Sequence, residues 1–138
     1  MRSRRRAEDG SAALELVLVA PVLLCVMLLV VGLGRMAHAR QQVESISADA
    51  ARAASLERNT AAAAGAAEQA AQRSLGDAGM TCAGLSVSTD VSAYRPGGRV
   101  TVRVMCRARL ADVALSGLPG GRQFTATSTV PIETYRGS

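Results

Sequence analysis

At 138 residues the chain has room for one domain and an anchor, and with 49% hydrophobic but only 2% aromatic residues it cannot build a core on large rings. The formal charge of +5 is carried entirely by Arg and raises nucleic acid as a partner. With no Trp and a single Phe, Phe124, the chain lacks the aromatic platform that single-strand binding uses, so no nucleic-acid partner is expected.

Alanine supplies much of the apolar count. Burying alanine removes little area from water, so a soluble domain of this composition is marginal and needs a staple or a partner. The sequence holds one His, His38, and has no zinc-type Cys pairs, phosphate loop or nucleophile elbow. The expectation is no enzyme, no catalytic residue, no metal and no cofactor.

Residues 1–10 form a basic leader in which Arg2, Arg4, Arg5 and Arg6 are partly offset by Glu8 and Asp9. Residues 11–34 follow as a transmembrane helix. Within them Leu16 to Leu33 carries no charged or strongly polar side chain, and the whole stretch provides the ~20 residues that span hydrocarbon. The nearest basic residues downstream are Arg35 and Arg40. The positive-inside bias therefore favours a cytoplasmic N-terminus and an extracellular C-terminal domain, in a single pass of the cell membrane. Cys25, in the apolar run, reads as a passive small residue. Pro21 removes a hydrogen bond to the carbonyl of Val17, which kinks or locally loosens a helix. Neighbouring helices can re-satisfy the freed carbonyl.

Glu15 is the odd residue. It lies one turn into the apolar helix, where a carboxylate costs ~2.5–3.5 kcal/mol at the bilayer centre and less near its edge. Such a residue is a functional candidate by default. The bland alternative is a carboxylate that snorkels to the headgroups.

Residues 35–58 read as a stalk helix continuous with the membrane segment. Met36, Ala39, Val43, Ile46, Ala50 and Ala53 follow alternating three- and four-residue steps. Residues 59–138 read as an exported helix plus β-sheet domain. Asn59-Thr60 can cap a second helix over 61–75, ended by Gly76, with one unbroken helix from Ser11 to Leu75 as the alternative. Three strands follow. Leu85, Val87, Thr89 and Val91 alternate with polar residues. Val100 to Ala108 alternates with Arg99, Arg103, Arg107 and Arg109. Phe124, Ala126, Ser128, Val130 and Ile132 share a face of the third strand, over 122–132. Residues 94–98 and 117–121 are loops. The Arg face of the second strand is either a solvated sheet face or a docking surface for an acidic partner or cell-wall polymer.

Cys106 sits on the apolar face of the second strand, and Cys82 just ahead of the first. They are either two free buried thiols or, in an oxidising compartment, a disulfide worth ~3–4 kcal/mol.

Gly10, four residues, Glu15 and then an unbroken apolar helix, all behind a basic leader, resemble the processing site of type IV prepilins. The resemblance implies that a prepilin peptidase cuts after Gly10 and leaves Ser11 as the new N-terminus. Residues four apart share a helix face, so Glu15 can approach that amine in its own chain or a neighbour's. Two other targeting readings are weaker. Ala37-His38-Ala39 fits signal-peptidase cleavage, but the apolar run exceeds the usual h-region. A lipoprotein site at Cys25 fails because Leu24 is not the small residue required.

The longer run from Gly10 through Glu15 and Pro21 to Leu24 looks like the opening of TadE-like proteins, which are pseudopilin-like components of tight-adherence (Flp-type) pilus systems. Residues 131–136 look like the ending of some members. The resemblance implies an α+β, pilin-like fold: a long N-terminal transmembrane and stalk helix, a second short helix and a small three-stranded antiparallel sheet. It also implies membrane lipid, other pilin or pseudopilin subunits, the prepilin peptidase and the Tad secretion machinery as partners. Glu15 and Pro21 would serve assembly. The alternative is an uncleaved single-span membrane protein with a small extracellular binding domain.

Overall fold

The computed structural model describes residues 2–109 and 120–135, with side chains from Ala13 onward. The long apolar run and its flanks form one helix, α1 (Arg2–Leu56), which continues through Pro21. After a short break comes α2 (Thr60–Asp77), then the strands β1 (Gly84–Asp90), β2 (Arg99–Arg109) and β3 (Gly121–Pro131). The architecture is α+β. The chain divides into two units, Met1–Gly34 and Arg35–Ser138.

In the first unit the described side chains face outward all the way round the helix. Its large apolar residues from Leu14 to Leu33 are between 38% and 69% exposed, so the helix does not cover its own apolar surface. A helix with no polar face and no covering layer requires apolar solvent or other helices, and this one is long and apolar enough to cross a membrane.

The second unit packs the C-terminal part of α1 and α2 against one face of the sheet. Asp49 accepts a hydrogen bond from Ser74 Oγ at 3.0 Å, and Gln42 Nε2 donates to the Ala78 carbonyl at 3.3 Å. These pairings run in opposite senses along the chain, so the two helices form an antiparallel hairpin. The sheet order is β1-β2-β3, antiparallel throughout, with Cys106 opposite Leu85 on one side and Phe124 on the other. Val100, Val102, Val104 and Cys106 of β2 are fully buried, in one cluster with Val43, Ile46 and the alanines of both helices. The largest fully buried side chain is Ile46. The core is therefore thin.

Four local expectations are refined. Burial on α1 includes Ala39, Val43, Ile46 and Ala50 as the stripe requires, but then moves to Ala51, Ala54 and Ser55, leaving Ala53 only half-buried. Alternating three- and four-residue steps average 3.5 residues, so a straight 3.6-residue helix drifts ~20° per heptad away from that pattern. The buried hydroxyls Ser47 and Ser55 bond to the carbonyls of Glu44 and Arg52 at 2.8 and 2.7 Å, which lets them sit in the core.

The break between helices falls where expected and excludes a single helix to Leu75. Asn59 is the N-cap, and its side chain accepts from the Ala62 N–H at 2.8 Å. Gly76 does not end α2. The turn is made by Gly79 at φ 63, with Met80 N bonding to the Leu75 carbonyl and Gly79 N to that of Gly76. That pairing is a Schellman cap, and it needs the left-handed residue three positions later than expected. The strand limits agree with the alternation to within a residue. The expected loop at 117–121 lies outside the described residues up to Pro119.

Candidate functional site

The sequence places its assembly candidates on α1. The backbone at Gly10 and Ser11 is helical, and the Ser11 side chain lies outside the described residues. Glu15 follows Ser11 by four positions on the same continuous helix, so backbone position 11 and Glu15 share a helix face. Glu15 is exposed and Pro21 sits inside the helix. Cys25 is an exposed free cysteine in the apolar run. Among the described residues no group of His, Cys, Asp and Glu is placed to hold a metal.

The second unit is held by a set of local ties. Cys82 and Cys106 form a disulfide with Cα atoms 5.5 Å apart, joining the segment after α2 to the centre of the sheet. The two residues are 24 apart in sequence, so the bridge closes a loop worth ~3–4 kcal/mol in the unfolded chain. Ala83 N donates to the Arg107 carbonyl at 2.7 Å and continues the same attachment.

Tyr94 is a tie that the sequence did not single out. Its hydroxyl lies 2.8 Å from the Ala54 carbonyl and 2.6 Å from the Glu57 carbonyl, and its one proton is donated to that pair. A helix leaves its last four carbonyls without intrahelical donors, and here a loop residue supplies one at the end of α1. The loop is tight. A Cβ on Gly98 would lie 2.1 Å from the Ala93 carbonyl oxygen, so only glycine fits. Gly98 and Gly97 also bond to Ile132 at 2.9 and 3.1 Å, which ties this loop to the end of β3. The available signal for Tyr94 was a lone aromatic in a Pro-Gly-Gly turn of an aromatic-poor chain.

The outward face of the sheet is polar. Arg99, Arg103, Arg107 and Arg109 are all exposed along β2. Arg103 Nε reaches Thr127 Oγ1 at 3.4 Å, and Thr101 and Thr129 share a hydrogen bond of 2.9 Å. At one end Asp90 accepts from the Ser92 N–H at 2.9 Å. That backbone bond, with a second from the Ser92 side chain, holds the Asp90 carboxyl below the usual carboxylate range.

These elements define a class: a small α+β protein stapled by a disulfide and carried on one helix apolar enough to cross a membrane. Within it, residues 10–52 match the family described as TadE-like protein. The match takes in Gly10, Glu15, Pro21 and the helix as far as Arg52, and stops short of α2 and the sheet. Comparison with curated proteins and with solved structures returns no match.

Proposed function

We propose that the chain is a membrane-anchored TadE-like pseudopilin or minor pilin, a subunit in assembly of a tight-adherence (Flp-type) pilus or secretion apparatus. The observation that carries this reading is the family match, which begins at Gly10 and runs through the exposed apolar helix. The chain contributes structure and no chemistry of its own. A prepilin peptidase removes the leader after Gly10, and the new amine at Ser11 meets Glu15 of a neighbouring subunit. In lipid that pairing relieves the desolvation cost of both charges. Pro21 leaves one carbonyl without an intrahelical donor, which a neighbouring helix can satisfy. The sheet unit stands outside the cell, where the disulfide persists.

Glu15→Ala tests the pairing. Removing a charge at bilayer depth leaves insertion as good or better, while co-purification with other pilin subunits and the Tad machinery is lost. Normal assembly of this variant would defeat the reading. A reporter fused after Ser138 checks orientation: activity confined to a cytoplasmic reporter would reverse the topology.

A further inference from the structure

The positive charge of this chain is not spread evenly. Residues 1–34 hold four Arg against three acidic residues, residues 35–77 hold five against five, and residues 78–138 hold seven against three. Four of those seven, Arg99, Arg103, Arg107 and Arg109, are exposed in one row on the outward face of β2. Among the described residues the ion pair found is Arg40 with Glu44, on α1 and away from this row. Among the described strand residues the carboxylate on the same face is Asp90, which lies on β1 opposite Thr101 and is engaged by Ser92. At the strand rise of about 3.3–3.4 Å per residue, the guanidinium-bearing positions are spaced ~13, ~13 and ~7 Å apart along a straight line.

We propose that this row is a binding surface for a linear polyol-phosphate polymer of the cell envelope, the four Arg engaging phosphodiesters spaced along its length. The inference rests on the reading that the sheet stands outside the cell. Guanidinium groups in a line match an extended chain of phosphates, which they bind in bidentate fashion. The neighbouring hydroxyls of Thr127 and Thr129 are placed to meet polyol oxygens or phosphate.

The face also disfavours the other polyanions. A protein partner needs an aromatic or aliphatic anchor at the centre of the contact. The exposed large apolar residues of the described chain lie on α1, where they include Leu56, and at Tyr135. The apolar side chain that shares the Arg face, Met105, is half-buried, and its sulfur accepts from Gln123 Nε2 at 3.3 Å. Nucleic acid binds single-stranded through bases stacked on aromatics. Phe124 lies on the inner face against the core, and Tyr94 is bonded into the end of α1. A charged polymer without rings asks for neither feature.

The test titrates full-length protein in neutral detergent micelles with poly(glycerol phosphate). Binding is expected, and for four phosphate contacts it should weaken roughly fiftyfold between about 50 and 200 mM salt. Replacing Arg103→Gln together with Arg107→Gln should cut the salt slope by about half and the low-salt affinity by at least about tenfold. Arg99→Gln with Arg109→Gln, at the strand ends, is the second pair and should act in the same direction. Arg73→Gln on α2 should leave binding within about twofold, since that position lies off the row. Each variant is first checked for an intact disulfide. No binding by the parent chain, or undiminished binding by both Arg pairs, overturns the proposal. So does tighter binding of single-stranded DNA or polyglutamate of equal charge. A sheet found on the cytoplasmic side overturns both this proposal and the outward topology. A failed titration with an outward sheet overturns this proposal alone.

Discussion

The two units use apolar residues in opposite ways. From Leu14 to Leu33 the side chains are large and exposed on every side of the helix. Among the described residues from Ala39 onward, the buried ones are Ala, Val, Ser, one Cys and two Ile. The first unit has no internal core, and a lipid environment or neighbouring helices would remove its surface from water. The second must bury its own surface with side chains that bury little, and it relies on covalent and hydrogen-bonded ties to hold them. A single hydrophobic fraction for the whole chain therefore conceals two energetic designs, one set by the surroundings and one by local staples.

The largest effect that would break this contrast is loss of the disulfide. Replacing Cys82 and Cys106 together with Ser should destabilise the second unit by ~3–4 kcal/mol, more if the buried Ser at 106 finds no partner. Hydrogen exchange of the β2 amides in full-length protein should report the loss, with the 13–34 helix unchanged. A change below about 1 kcal/mol would mean that the Val ladder of β2 carries the unit without its staple.

Next comes core volume. Ala67 is fully buried, so Ala67→Leu should cost ~1–3 kcal/mol through overpacking. Its counterpart Leu23→Ala, in the exposed run, should leave the stability of the second unit within about 0.5 kcal/mol. Equal effects at the two sites would abolish the distinction between the units.

Tyr94→Phe sharpens the contrast. It keeps the ring and removes the proton donated to the Ala54 and Glu57 carbonyls, at a cost of ~1–2 kcal/mol. The amides of the last turn of α1 should exchange faster, while those of α2 stay protected.

The smallest effect concerns pH. The Asp90 carboxyl titrates below its unfolded-chain value because Ser92 donates to the ionised form. Its contribution to folding is therefore complete above the unfolded-chain value and is lost as pH falls through the folded one. Carbon-13 titration of that carboxyl should give a midpoint below the ordinary range, and Ser92→Ala should raise it. A midpoint at or above the ordinary value would show that the turn is not formed.

Legibility in the sequence followed the strength of the local period. β2 alternates without interruption, and its limits, faces and Arg row could be read directly. Asn59 announced the break between helices by its capping chemistry. The buried face of α1 was harder, because alanine and serine occupy both its buried and its exposed positions and mark no boundary. The end of α2 was misplaced because three glycines, Gly65, Gly76 and Gly79, lie in or near it. Only the backbone shows that Gly79 takes positive φ. Tyr94 was invisible because its partners are 37 and 40 residues away, beyond any local pattern. Gly10, Ser11 and Glu15 were legible only as a spacing beside an apolar run. Their proposed work lies between a peptidase and two subunits, so the fold of one chain carries no imprint of it.

The most direct test of the central claim is N-terminal sequencing of protein extracted from membranes, beside a Gly10→Val variant. The peptidase must bring the backbone after Gly10 into its catalytic pocket, and a β-branched side chain there obstructs close approach. The account predicts a mature chain beginning at Ser11 and an uncut leader in the variant. A start at Met1 or Arg2 in the parent chain would contradict it and leave an uncleaved anchor, and a start at Arg40 or Gln41 would assign the cut to signal peptidase instead.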